Sequence, residues 1–403
     1  MPVGLGPLPA LAPIDGIRLG VARAGIKKPD HDDLAVLELA AGTRVAGVFT
    51  RNRFCAAPVQ VARRHLAAAS PRLLVINTGN ANAGTGTRGL ADAEACCRAA
   101  AELAGVDPAQ VLPFSTGVIG EPLPVDRLLV GLPRALADLR PDGWVTAAAA
   151  ILTTDTLPKA ASRSVHLAGG AVRLTGMAKG AGMIRPDMAT MLAFVTTDAA
   201  LDGDVLEACL AEAVRYTFNR ITIDGDTSTN DACVLAATGA SGVDVAGEAD
   251  RRRFIEALTD LCRELAQAIV RDGEGVTRFI TVAVRGGRAE SECEAVAYTI
   301  AHSPLVKTAA FAGDPNWGRI LAAIGRSDIG DLDVSRVRIR LNDYLIAEQG
   351  ARAEGYDEAE AARRMAAEEV TIGVDLGRGE AEATVWTTDF SYEYVRINAE
   401  YRT

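Results

Sequence analysis

Thr190 stands where a hydroxyl could serve as a nucleophile, at the junction of a loop and a strand within Met177–Asp198. Gly180, Ala181, Gly182 and Pro186 break any helical period and predict a loop over the first half of this stretch. Met191 to Thr197 is apolar or β-branched and predicts a buried strand ending at Asp198. A threonine hydroxyl is a weak nucleophile and needs a base beside it. One way to supply that base is to make the threonine N-terminal, since an α-amine has a pKa of roughly 7.7 to 8.0 and is partly neutral near physiological pH. Taken without other context, Thr190 is an ordinary strand residue.

Other residues could assist such chemistry. Ser115-Thr116-Gly117-Val-Ile-Gly120 follows a strand predicted over Gln110–Phe114. A threonine hydroxyl and a backbone N–H beside a glycine can both face an oxygen that becomes negative as an acyl carbon is attacked. The same string also reads as a glycine-rich turn. Glu274 lies between Gly273 and Gly275, so a ligand has room to approach its carboxylate, and Lys179 offers the opposite charge. The acidic loop Asp224–Asp231 lacks the twelfth-position glutamate of an EF-hand, and no metal is expected there. Gly84-Thr-Gly86-Thr-Arg-Gly89 fits G-x-G-x-x-G, with Asp107 at about the ribose-binding distance. Asn77 to Ala83 would separate it from the preceding strand, however, and the tight strand-turn-helix geometry of a dinucleotide site would then be lost.

The elements that must position these residues follow from periodicity. Leu34–Leu39 and Arg44–Thr50, joined by Ala41-Gly42, predict a hairpin. Arg72–Asn77 predicts a strand covered on both faces, followed by an amide-rich loop, Asn77–Ala83. Helices are expected over Leu90–Ala104, Asp126–Leu139 and Gly143–Leu152, and strands over Ser162–Leu167 and Val172–Thr175. Asp204 and Glu207 have capping-box spacing at the start of a helix reaching Phe218. A strand at Arg220–Ile223, a long amphipathic helix at Asp250–Val270 and a strand at Thr277–Val284 come next. Strands at Arg336–Leu341, Val370–Leu376 and Ala381–Thr387 complete a largely antiparallel sheet.

Composition sets the class. With 403 residues, the chain is suited to two domains or one multilayer α/β domain. Its 49% hydrophobic and 23% charged residues are those of a globular protein, and a net charge of -10 argues against nucleic-acid or anionic-membrane partners. Seven cysteines without Cys-x-x-Cys spacing indicate neither a disulfide framework nor a zinc site. The N-terminal stretch has prolines, no basic region and no membrane-length run, so a cytoplasmic location is expected.

Together, Lys179-Gly-Ala-Gly-Met-Ile184 with Pro186, Met188-Ala-Thr-Met-Leu192, Asn77-Thr-Gly-Asn-Ala-Asn82 and Ser115–Gly120 resemble the glutamate N-acetyltransferase, or ornithine acetyltransferase, family. The resemblance implies a layered α-β-β-α sandwich of mixed sheets. It also implies self-cleavage between Ala189 and Thr190 into two interlocked chains, 1–189 and 190–403, and an assembly of two copies of each. Thr190 would be the nucleophile, with Thr116 and Gly117 holding the oxyanion. Thr153, Lys179, Thr190, Glu274, Asn398 and Thr403 would contact substrate. The implied activity is acetyl transfer from N2-acetylornithine to glutamate without a cofactor or metal, with acetyl-CoA as a further candidate donor. Three other readings remain: an N-terminal-threonine amidohydrolase or aminopeptidase of related fold, a nucleotide-binding oxidoreductase resting on Gly84–Gly89, and a non-enzymatic relative.

Overall fold

A computed structural model describes residues 2–27, 30–185 and 191–400, so Ala189, Thr190 and Thr403 lie outside the described residues. The chain forms two compact units, one from residues 7–219 and 226–269, the other from 1–6, 220–225 and 270–403.

The larger unit holds two sheets. The first has four strands in the order β1 (Ile17–Ala22), β2 (Leu34–Leu39), β4 (Leu73–Asn80) and β5 (Val111–Val118). The second has five, β3 (Arg44–Phe49), β9 (Ala232–Ala237), β8 (Leu192–Thr197), β7 (Gly170–Lys179) and β6 (Lys159–Leu167). Side chains alternate across a strand with a period of two, and that period assigns each layer. Leu37, Leu74, Ile76, Leu112 and Phe114 of the first sheet share one buried cluster with Met177, Leu192, Phe194 and Val234 of the second. Leu34, Val36, Leu73, Val75 and Val111 point the other way, onto helices Gly86–Ala104 and Val125–Ala137. Helix Gly203–Arg215 packs on β3 and β9. The layers are therefore helix, sheet, sheet, helix, as expected.

The smaller unit has one six-stranded sheet, ordered β13 (Ala351–Arg352), β12 (Tyr344–Glu348), β11 (Arg338–Leu341), β14 (Glu369–Asp375), β10 (Phe279–Gly287) and β15 (Ala381–Thr388). Only β10 and β14 run parallel, which agrees with the largely antiparallel expectation. Val282, Val284, Ile339, Ile372 and Val374 meet Val296, Ile300, Ile320 and Ile324 of its helices in one core. Among the described residues no helix is long and apolar enough to cross a membrane.

Several expectations need correction. β2 and β3 occupy the expected residues but form no hairpin, because β2 pairs with β1 and β4 while β3 pairs with β9. Period-two alternation fixes which face is buried, not which strand lies alongside. β4 runs on to Asn80 and β7 to Lys179, so parts of both expected loops are strand. Only three residues then separate β4 from Gly84. Gly89 nevertheless has a packing role, since a Cβ there would lie 1.9 Å from Thr85 Oγ1, and Asp107 caps a short 3-10 turn through the Ala109 N–H. Helix Gly203–Arg215 has Asp202 at its N-cap with no side-chain cap bond, so Asp204 and Glu207 form no capping box. Arg220–Ile223 is no strand; it contributes a single bridge from Ile221 to Trp386.

The five-stranded sheet interleaves the two halves of the sequence, with β8 and β9 lying between β3 and β7. Fragments 1–189 and 190–403, co-expressed as separate chains, should therefore co-purify through a tag on either one. In fragment 190–403 alone β8 and β9 lack β7 and β3, so their amides should exchange rapidly with solvent, and hydrogen-exchange protection of Leu192–Thr197 and Ala232–Ala237 in that fragment would contradict this sheet order.

Candidate active site

The larger unit brings together Thr116, Thr153 and Lys179. Thr116 and Gly117 lie near the end of β5, beside a register shift at Gly79 and Asn80 of β4. Gly117 has φ +133°, and a Cβ there would lie 2.2 Å from the Gly79 carbonyl carbon, so only glycine fits. Buried amides fix this strand end. Asn77 accepts from the Ser115 hydroxyl at 2.5 Å and donates to the Asn80 carbonyl at 2.8 Å. Asn80 donates to the Glu121 and Pro122 carbonyls and accepts from the Asn82 N–H. Asn230, from the acidic loop, donates to the carbonyls of Ala81 at 2.6 Å and Ser115 at 3.0 Å. A buried carbonyl left without a partner costs about 1–3 kcal/mol, so these amides hold Ser115, and with it Thr116, in register.

Lys179 closes β7. Its ammonium donates to Thr153 Oγ1 at 2.8 Å and Thr116 Oγ1 at 3.2 Å. Asp155 Oδ2 lies 3.9 Å away, while Asp155 Oδ1 accepts from Lys159 Nζ at 2.7 Å and from the Gly180 N–H at 2.6 Å. The Asp155 side chain is fully buried. Burial alone would raise its pKa, but the Lys159 and Lys179 ammoniums and these hydrogen bonds hold the carboxyl well below the usual carboxylate range. The Lys179 ammonium, facing two hydroxyls as well as this carboxylate, suits an anionic group or a developing oxyanion. A hydroxyl that accepts from an ammonium is also a stronger donor through its own proton, and Thr116 is that hydroxyl.

The smaller unit brings together Glu274 and Asn398. Glu274 is buried, and its Oε2 accepts from Asn398 Nδ2 at 2.8 Å. Gly275 has φ +66°, and a Cβ there would lie 2.4 Å from the Tyr394 nitrogen, so the glycine lets the helix Tyr392–Glu400 approach. Ser391 Oγ ties this junction by donating to the Gly275 carbonyl at 2.5 Å. Beneath it, fully buried Lys307 donates to Thr387 Oγ1 at 2.8 Å and to the Thr388 carbonyl, and lies 4.5 Å from the centre of the Phe390 ring. Phe390 stacks on Tyr394 at 4.8 Å. Burial lowers the Lys307 pKa to about 7 against the opposing pull of Asp389 and Asp224.

Trp317 packs half-buried on the smaller unit's core, and Arg319 donates to the Leu305 carbonyl, so both have structural roles. The residues that sequence reasoning passed over are Asp155, Asn230 and Lys307. Only Lys307 carries a signal of its own, as the one charge in the otherwise uncharged, mostly apolar stretch Leu305–Ala312.

A sequence model described as "ArgJ family" matches residues 18–403. The chain is 55% identical over 406 residues to "Arginine biosynthesis bifunctional protein ArgJ" of Pseudomonas fluorescens (strain Pf0-1), covering the whole of both. The solved structure of arginine biosynthesis bifunctional protein argJ from Bacillus halodurans is 42% identical, with a TM-score of 0.50, and covers 52% of this chain and 99% of the solved one. The ornithine acetyltransferase of Mycobacterium tuberculosis, solved with ornithine, is 36% identical over 46% of this chain and 97% of its own, with a TM-score of 0.42.

Lys307 generates a pH signature. Its folded-state value of about 7 lies below the roughly 10.4 of a free lysine, so between the two the unfolded chain binds more protons and stability rises with pH. This group alone contributes a slope of up to about 1.4 kcal/mol per pH unit. In Lys307→Met, the increase in unfolding free energy from about pH 7 to about pH 9.5 should be smaller than in the wild type by that contribution. Equal slopes in denaturant titrations of the two proteins would refute the assignment.

Proposed function

The chain belongs to the ArgJ family, and from that membership we propose that it is a glutamate N-acetyltransferase of arginine biosynthesis, moving an acetyl group from N2-acetylornithine to glutamate. The observation that carries the reading is the Lys179 ammonium bonded to the hydroxyls of both Thr116 and Thr153 at the ends of adjoining elements. In the proposed sequence, the Thr190 hydroxyl attacks the acetyl carbonyl and its own α-amine takes the proton. The Thr116 hydroxyl and the Gly117 N–H stabilise the resulting oxyanion. Collapse transfers that proton to the departing ornithine amine and leaves an acetyl ester on Thr190. The glutamate amine then attacks the ester, and reversal of the same proton transfers restores the threonine.

The free amine must come from a cut between Ala189 and Thr190. We assign it to attack of the Thr190 hydroxyl on the Ala189 carbonyl, followed by hydrolysis of the ester so formed. It yields chains 1–189 and 190–403, assembled as two copies of each. Support comes from the Bacillus halodurans structure, in which nearly a whole solved chain is matched by about half of this one. The substrate α-carboxylate is assigned to Lys179 and the ornithine ammonium to Glu274, and Thr153, Asn398 and Thr403 are assigned as further substrate contacts. Charge complementarity supports these assignments. No cofactor or metal takes part in the scheme. The word "bifunctional" in the relative's name supports a second activity, for which acetyl-CoA is the proposed donor. A cytoplasmic setting is supported by seven free cysteines.

Intact mass of the wild type beside Thr190→Ala tests the nucleophile. Two fragments meeting at Ala189 and Thr190 should appear in the wild type alone, together with acetyl transfer to glutamate. A single chain of about 42.1 kDa in both would overturn the scheme, and acetate release that does not depend on glutamate would favour the amidohydrolase. Glu274→Ala should raise KM for acetylornithine by about tenfold or more, the loss of a hydrogen bond to a charged group. Lys179→Ala should weaken both amino acids together; an unchanged KM in either case would remove that assignment.

A further inference from the structure

We propose that Asp155 is a positioning residue for this reaction, a buried carboxylate that aims the Lys179 ammonium at Thr116 and fixes the backbone at Gly180. The inference rests on the acetyl-transfer reading and adds to it a residue that the motifs did not single out.

One carboxylate ties three segments together. Oδ2 accepts from the Thr153 N–H at 3.2 Å and faces Lys179 Nζ at 3.9 Å. Oδ1 accepts from Lys159 Nζ and from the Gly180 N–H, at 2.7 and 2.6 Å. Thr153 opens the polar loop, Lys179 ends β7, and Gly180 begins the segment that leads to Thr190. Gly180 has φ +152°, and a Cβ there would lie 2.9 Å from Ile184 Cδ1, so its conformation is unusual and held from several sides.

The charges give Asp155 a second function. Lys159 and Lys179 are the charged side chains facing it, one at the start of β6 and the other at the end of β7. The loop and β5 face the Lys179 ammonium with the hydroxyls of Thr153 and Thr116. Without Asp155, the two ammoniums would lose the buried carboxylate that faces both of them. Desolvation and mutual repulsion would then strip a proton from one of them as pH rises. A neutral Lys179 amine would lose its hold on the substrate carboxylate and its polarising effect on Thr116. Asp155 contacts neither of these directly, and its influence passes through Lys179.

The test uses the full-length protein as wild type, Asp155→Asn and the double variant D155N/K159M. The double variant removes one charge of each sign, so it should be less destabilised than the single variant. Processing is followed by intact mass, and kcat/KM for acetyl transfer is measured from about pH 6 to about pH 9.5. Asp155→Asn should lose about tenfold or more at pH 8.5 and recover part of that loss at pH 6.5, with the alkaline limb displaced to lower pH. The double variant should melt near the wild-type temperature and still be slower by about tenfold. Wild-type kcat/KM in a folded double variant, or a loss in Asp155→Asn that is uniform with pH, would overturn the inference while leaving the reaction in place. An inactive wild type would overturn the reaction and this inference with it.

Discussion

The apolar layer between the two sheets of the larger unit is the constraint on which the candidate site depends. Phe114 of β5 meets Phe194 of β8 edge to face, with ring centres 5.0 Å apart and planes at 86°. Such a contact adds about 0.5–1.5 kcal/mol beyond area burial. Because strands alternate with a period of two, the residue two positions beyond an inward-facing one faces inward as well. Two residues beyond Phe114 stands Thr116, and two beyond Met177, also in the layer, stands Lys179. The hydroxyl and the ammonium thus continue the same rows that build the core, at the point where the layer turns polar. Their spacing is set by the packing of large side chains rather than by a flexible loop.

Two kinds of polar group solve the problem of burial there. Around β4 and β5, neutral amides from Asn77, Asn80, Asn82 and Asn230 donate to carbonyls of the strand end, of the loops beside it and of the helix that follows. Amides carry donor and acceptor together, so a network of them is self-satisfying and adds no charge to the site. At the end of β7, Lys159, Asp155 and Lys179 instead carry charge. A buried ion pair adds little net stability against an apolar alternative, so this cluster makes better sense as a device that keeps a cation in place than as a stabiliser of the fold.

This division explains what the sequence revealed and what it hid. Continuous apolar runs gave β4, β5, β8 and β10 to within a few residues, because a buried strand must be apolar on both faces. The hairpin reading of Leu34–Thr50 failed because a glycine turn looks the same whether the chain folds back on its own sheet or crosses to another. Asn77–Ala83 and Met177–Lys179 look like loops in the sequence because polar or small residues at a strand end resemble loop residues in composition. Thr116 and Lys179 were visible through their motifs. Asp155 and Asn230 were not, since nothing local distinguishes a buried, fully bonded carboxylate or amide from a solvated one. Their importance lies in partners 25 and 115 positions away.

The sheet order also bears on when a cut at Thr190 could be tolerated. While the chain is continuous, β8 joins β7 as an antiparallel neighbour and β9 joins β3, both within one molecule. Pairing of this kind depends only on the effective concentration set by the connecting segment. Once those pairs are made, the connection is no longer needed to hold the sheet together. A chain cut before folding would have to recover the same pairs by bimolecular association, with edges of β7 and β8 exposed to aggregation in the meantime. Catalysis of the cut by groups that come together only in the folded sheets avoids that exposure. If cleavage proceeds as proposed, the strand ends carrying Thr116 and Lys179 act twice, first as the check that the sheets have closed and then as the site that the cut completes.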